Sequence, residues 1–282
     1  MAGTNKALGQ HWLKNREILD AIAELAVGDG SAVNHSGKSK KKPLTCVEIG
    51  PGLGYLTSSL LRRFDKVVAV EYDKRLADNL PGSFPGTNLK VVWDDILEYD
   101  FRDVKKPFVV AGNIPYYITQ PIIGKVLELP PQKRPERVVL LMQKEVAERV
   151  LAVHGTTPLA LLVENQAVVK AGPVVSRKEF DPAPKVDSQV VVMEMRKTPL
   201  WPDESLTLGA LLYLAFDHPR KKLLNNFMTA FSREEAASIF DVAGIRSDLR
   251  PGDLTFQDYQ KLWEAIMEID LANFARMSRG ML

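Results

Sequence analysis

At 282 residues, with 45% hydrophobic and 26% charged side chains, the chain has room for one large domain and a smaller second one, and its composition excludes a fibrous or intrinsically disordered protein. A formal net charge of +2 does not by itself announce a nucleic-acid partner, and apolar runs such as "RVVLLMQ" are too short to cross a bilayer. The single cysteine, Cys46, rules out an internal disulfide, and its apolar setting reads as a small buried hydrophobe rather than a reactive thiol.

The N-terminal stretch "MAGTNKALGQHWL" lacks the charged-then-apolar plan of a signal peptide, so a cytosolic protein is expected. Next comes "GDGSAVNHSGKSKKKP", with Lys38, Lys40, Lys41 and Lys42; it reads as a solvated loop, although lysine runs can also touch phosphates. From residue 44, β-branched runs alternate with amphipathic segments, the pattern of βαβ units on a mostly parallel sheet. Strands are predicted at 44–49, 66–71, 89–93, 107–112 and 137–142, and helices at 55–63, 72–79, 120–129 and 144–153. The runs "LALLVENQAVV" and "SQVVVMEM" are expected to form an antiparallel pair at the sheet edge. Beyond Met195, "RKTPLWPDES" reads as a linker and the rest as short helices, giving an α/β domain over 1–196 and a helical domain over 197–282. The histidines His11, His35, His154 and His218 are scattered, with no metal-ligand spacing, so no metal site is expected.

The first strand runs directly into "VEIGPGLGYLT", carrying Gly50, Gly52 and Gly54. Glycines between a strand and a helix let a ligand approach the backbone closely. Glu71 ends the second strand, where a carboxylate can accept both hydroxyls of a ribose. The G-x-G-x-G spacing, with Glu48 two residues before it, differs from a dinucleotide fingerprint. It resembles the nucleoside-binding turn of S-adenosylmethionine-dependent methyltransferases. By that resemblance Asp95 of "WDDI" would meet the cofactor's adenine amino group, with Ile96 against the ring; Asp94 is expected to face solvent or cap a helix.

The fourth strand ends in "GNIPYYITQP", at the sheet edge where ligands of open α/β folds bind. A proline turn capped by Thr119, with Pro121 in the first turn of the next helix, accounts for the prolines but not for Asn113 and Tyr116. An exocyclic adenine amine is a poor nucleophile because its lone pair is delocalised into the ring. The Asn113 side-chain oxygen and the Ile114 carbonyl are suitable acceptors for its protons, while Pro115 offers no competing donor. Tyr116 can stack on the purine, and Phe180 of "EFDPAPKVDS" is expected on the base's other face.

Together "LGQHWL", "VEIGPGLGYLT", "GNIPYYIT", "MQKEVAERV" and "FDPAPKVDS" resemble the ribosomal RNA adenine dimethyltransferases, small-subunit branch, over most of the chain. The resemblance implies a Rossmann-like class I methyltransferase domain with a seven-stranded, mostly parallel sheet and a small all-helical C-terminal domain that docks on the ribosome. It implies S-adenosyl-L-methionine as cofactor, held by Gln10, His11, Leu13, Gly50, Gly52, Gly54, Glu71, Asp95, Ile96 and Asn113. The implied partner is small-subunit ribosomal RNA in the immature small ribosomal subunit, with N6 of two adjacent adenines in a 3′-terminal hairpin dimethylated. A monomer without a membrane partner is expected. Trp12 stands where the family usually has Phe, and "PRKKL" replaces a paired-arginine segment, with Pro219 in one arginine's place. A large-subunit adenine methylase of the macrolide-resistance type, a non-catalytic ribosome-assembly factor and a small-molecule methyltransferase remain alternatives.

Overall fold

The computed structural model describes residues 10–28, 44–152, 155–201 and 205–269. The lysines at 38–42, His35 and His154, and Leu8 and Gly9 of the opening motif lie outside them. The chain divides into two compact units, 1–147 with 167–197 and 148–166 with 198–282.

The first unit begins with β1 (Trp12–Leu13) and helix α1 (Arg16–Val27). Asn15 caps α1 by accepting the amides of Glu17 and Ile18, and the helix buries Leu19, Ile22, Ala23 and Ala26 at helical spacing. Then β2 (Thr45–Ile49), α2 (Tyr55–Leu61), β3 (Lys66–Glu71), α3 (Lys74–Ser83), β4 (Leu89–Trp93), β5 (Phe108–Asn113), α4 (Thr119–Glu128) and β6 (Arg137–Gln143) follow in alternation, and α5 (Lys144–Val150) begins where β6 ends. After α6 (Pro158–Gln166), the unit closes with β7 (Ala167–Val175), the short β8 (Phe180–Asp181) and β9 (Ser188–Met195).

Seven strands form one sheet in the order β4-β3-β2-β5-β6-β9-β7, while β1 pairs with β8 separately. Strands β2 to β6 are parallel, and β9 runs antiparallel to both neighbours. This is the expected Rossmann-like arrangement. The strand β2, covered on both faces, is buried throughout, whereas the edge strand β4 is partly exposed along its length. Order reverses between β2 and β5, so a crevice opens beyond their carboxyl ends, where Ile49 is paired with Gly112.

The predicted strands correspond to observed ones within a residue, but three expectations are corrected. "LALLVENQ" is the helix α6, not strand: Pro158 opens it and the Thr157 hydroxyl accepts the amide of Ala160. Only the following "AVVKAGPVV" joins β9 as the antiparallel edge pair. Leu161 of α6 is buried in the core of the second unit, so 148–166 group with that unit rather than with the α/β part, where a division at 196 had kept them. Thr119 does not cap α4; it is the helix's first residue, and its buried hydroxyl has no partner.

The second unit packs α7 (Ser205–Phe216), α8 (Leu223–Phe227), α9 (Arg233–Ala243) and α10 (Phe256–Ile269) with α6 around an aromatic-rich core. Ser232 and Glu235 form a reciprocal capping box at the start of α9, and Gly244 ends it in the left-handed conformation. Asn226 donates to the carbonyls of Ala215 and His218, tying down the turn ahead of the exposed Arg220, Lys221 and Lys222. Among the described residues no helix is long and apolar enough to cross a membrane. Phe227 is fully buried, with ring centroids 5.0 Å from Phe240 and 6.1 Å from Phe231. Phe227→Ala is expected to cost about 3–5 kcal/mol in urea unfolding of the whole chain; a loss below about 1 kcal/mol would show that these helices share no tight core.

Candidate active site

The turn after β2 is shaped by its glycines. Gly50 has φ +63° and its amide donates to the carbonyl of Val70, 2.9 Å away, fixing the turn to the neighbouring strand. A Cβ on Gly50 would meet nothing within 4 Å and would project into open space. That space is a cavity of about 330 Å³ lined by Gly50, Gly52, Glu71, Asp95, Asn113 and Tyr116, among others. At Gly52 the approach is from protein: a Cβ would stand 2.2 Å from the Trp12 ring, so glycine here lets the N-terminal strap lie flat on the turn. Gly54 caps α2 in the left-handed conformation.

Glu71 is gripped from both sides. Its Oε2 accepts the amide of Gly52 at 3.0 Å and its Oε1 the amide of Asp73 at 2.8 Å. Burial raises its pKa, and those two amides pull the other way. Asp95, beyond β4, accepts the amide of Leu97 at 2.9 Å; Ile96 beside it is buried, and both line the cavity. Asp94 also lines the cavity and accepts the amide of Asp95 at 2.9 Å, so it does not simply face solvent.

The strap 10–13 crosses the mouth. Gln10 reaches Asp73 at 3.4 Å, and β1 pairs Trp12 with Asp181 and Leu13 with Phe180. His11 donates through Nδ1 to the carbonyl of Pro182 at 2.7 Å, and its ring lies nearly parallel to Tyr116, centroids 5.9 Å apart and planes 22° apart. Asn113, closing β5, donates its Nδ2 to the carbonyl of His11 at 3.2 Å. That donor is therefore spent on the strap, which leaves Oδ1 as the free acceptor.

Beyond Asn113 the turn is held at both ends. The Ile114 amide donates to Leu141, 3.3 Å away, and the Tyr116 hydroxyl bonds the buried Ser188 at 2.8 Å. Pro115, Tyr116 and Tyr117 all line the cavity. Phe180 is not among the lining residues; it is 5% exposed and packed in the core beside Leu13, its partner across the β1–β8 ribbon. The ring that stacks on Tyr116 at the cavity is His11, which the resemblance assigns to the cofactor side.

Glu48, not among the residues singled out for binding, is buried on the cavity wall, and its Oε2 has no hydrogen-bond partner. Burial, opposed by Thr57 and reinforced by the charge of Glu71, pushes its pKa up to about 8. An orphaned acidic oxygen, a carboxylate pinned by backbone amides and a glycine facing open space together fit a nucleoside carrying positive charge, as S-adenosylmethionine does.

Two outcomes follow from this geometry. Because Glu48 is held above its unfolded value of 4.5, its contribution to stability is present in full below that pH and is lost as pH rises toward about 8. Glu48→Gln should level that decline, on the order of a few kcal/mol, in urea unfolding across the range. Gly50→Ala should cost about 1–2 kcal/mol of stability for its positive φ, yet weaken S-adenosylmethionine binding by more than about tenfold in calorimetry. Unaltered affinity would show that the cofactor does not lie against Gly50.

Comparison with known proteins identifies the family. The family model for ribosomal RNA adenine dimethylase matches residues 1–268. A ribosomal RNA small subunit methyltransferase A from Streptococcus mutans is 34% identical, over 94% of this chain and 92% of that one. Among solved structures, a dimethyladenosine transferase from Plasmodium falciparum superposes with a TM-score of 0.72 at 26% identity, covering 91% of this chain and 97% of that one. The 23S rRNA methyltransferase ErmE gives 0.71 at 26% identity, covering 91% and 99%. On this evidence the chain belongs to the ribosomal RNA adenine dimethylase family.

Proposed function

We propose that the protein transfers methyl groups from S-adenosylmethionine to N6 of two adjacent adenines of small-subunit ribosomal RNA, in the 3′-terminal hairpin of the immature subunit. The observation that carries this reading is Asn113, whose amide is turned by the His11 carbonyl so that its oxygen is the free acceptor beside the cavity. The superposed structures do not separate small-subunit from large-subunit action, since the two TM-scores are 0.72 and 0.71. What favours the small subunit is the relative at 34% identity, matched along nearly its whole length and named for that subunit.

The cofactor supplies an activated methyl group on a sulfonium. Asn113 Oδ1 and the Ile114 carbonyl accept the protons of the adenine amine and draw its nitrogen out of conjugation toward tetrahedral shape. Tyr116, anchored at its hydroxyl by Ser188, stacks on the flipped base. The His11 ring offers the opposite face; its 5.9 Å spacing from Tyr116 must widen by about 1 Å to admit a purine between stacked rings. Pro115 has no amide hydrogen to compete for the substrate. Alignment carries most of the rate, because the nitrogen's proton becomes acidic once it is alkylated and needs no strong base. Glu71 and Asp95 hold the ribose and adenine ends of the cofactor, with Gly50, Gly52, Gln10 and Leu13 completing the wall. The residues named in this mechanism all belong to one unit of one chain, which suits a monomeric enzyme. In the second unit, Arg220, Lys221 and Lys222 contact RNA phosphates during docking.

The test is transfer of labelled methyl groups to immature small subunits, with mass spectrometry locating the modified nucleosides. Asn113→Ala should lose about a hundredfold or more in kcat. Asn113→Asp keeps an acceptor but cannot donate to His11, and should lose comparably. Full activity of either variant would refute the assigned role, and modification confined to the large subunit would refute the choice of substrate.

A further inference from the structure

We propose that Tyr72, Trp93 and Tyr117 form a stacking platform beside the active-site mouth for the unpaired nucleotides flanking the target adenine. This rests on the reading of the site as an RNA adenine methylase. The three rings are 61%, 59% and 63% exposed, among the most exposed large apolar side chains described. The Trp93 indole N–H donates to the carbonyl of Tyr72 at 3.1 Å, which fixes the ring at the end of the edge strand β4. The Lys74 ammonium sits 4.8 Å from the centre of the Trp93 ring. Tyr72 and Tyr117 both line the cavity, and Tyr117 follows the Tyr116 that faces the target base, so the surface is continuous with the catalytic crevice. Burial, with the charges of Asp95 and Tyr72 adding to it, pushes the Tyr117 hydroxyl upward.

Taking one adenine out of a stem leaves its neighbours without their stacking partner. Exposed aromatic rings restore that stacking without reading sequence, because every base has a π-face. Electrostatics fix the polarity of the contact. Asp94 and Asp95 stand at the same mouth and repel phosphates, so bases turn toward the rings while the backbone passes on the Lys74 side. That orientation suits single-stranded nucleotides better than an intact duplex, whose bases are already stacked.

The experiment uses the full chain and the double variant Trp93→Ala/Tyr117→Ala. Binding of a short adenine-rich single-stranded RNA is followed by fluorescence anisotropy, cofactor affinity by calorimetry, and KM for immature subunits by methyl transfer. Oligonucleotide affinity should fall by about tenfold or more, with a matching rise in KM, while S-adenosylmethionine binding is retained. Trp93→Phe, which keeps a ring, should recover most of the binding. Unchanged oligonucleotide affinity would overturn the platform in favour of a protein contact. A parallel loss of cofactor affinity would overturn it in favour of a cofactor lid. A binding defect in a protein that transfers no methyl groups would uphold the platform and sink the enzymatic reading instead.

Discussion

Strands β2 and β5 lie side by side in parallel, so closely that a Cβ on Gly112 would stand 2.8 Å from the carbonyl of Ile49. The site depends on this contact. It brings the glycine turn that follows β2 and the Asn113 turn that ends β5 to neighbouring positions on one rim. The chain leaves these two strands toward opposite halves of the sheet, so the loops diverge and a cavity remains between them. One loop meets a nucleoside with bare backbone; the other presents hydrogen-bond acceptors. A methyl donor and an adenine can thereby be juxtaposed without any segment having to move far.

The electrostatics of that cavity are unusual for a nucleic-acid enzyme. Glu71, Asp94 and Asp95 all line it, which would repel a polyanion, while Glu48 beside them is held toward its neutral form. The tension resolves if the acids serve a cationic cofactor and only an uncharged base enters. Backbone amides donate to two of these acids: Glu71 takes two, and Asp95 takes one. Glu48 takes the opposite course, remaining buried with one oxygen unsatisfied and its pKa raised to about 8. The same wall thus contains carboxylates stabilised by donors and one whose charge awaits a partner.

Much of this was legible in the sequence because the decisive residues sit next to strand ends, where composition changes abruptly. Gly50 to Gly54, Glu71, Asp95 and the Asn113 turn were each placed by a strand boundary and a local residue type. What failed depended on side-chain direction or on ambiguous periodicity. "LALLVENQ" opens on five consecutive apolar residues without helical alternation, and the Thr157–Pro158 start signals distinguish it from a strand. Phe180 lies in a motif, yet motif membership does not say how exposed the ring is; in the fold it is 5% exposed, packed beside Leu13. The helix α1 is not among the predicted elements, although Asn15 caps it by accepting two backbone amides. Tyr72 and Trp93 adjoin motif acids, but an aromatic at a strand end is equally consistent with burial, and exposure is visible only in the fold.

The N-terminal strap shows how one short segment couples the two halves of the reaction. Trp12 lies on Gly52 of the cofactor turn, while the carbonyl and ring of the adjacent His11 engage Asn113 and Tyr116 of the acceptor turn. Pairing of β1 with β8 and the His11 bond to Pro182 anchor the strap to the loop beyond β7. The Trp12 ring spreads over Gly52, where any Cβ would collide with it. Any displacement of this strap changes the Asn113 amide and the Gly52 turn together, since both are held by consecutive residues. On the proposed reading, a cofactor bound against the turn therefore bears directly on the geometry of the acceptor site, through two adjacent residues and without a longer relay.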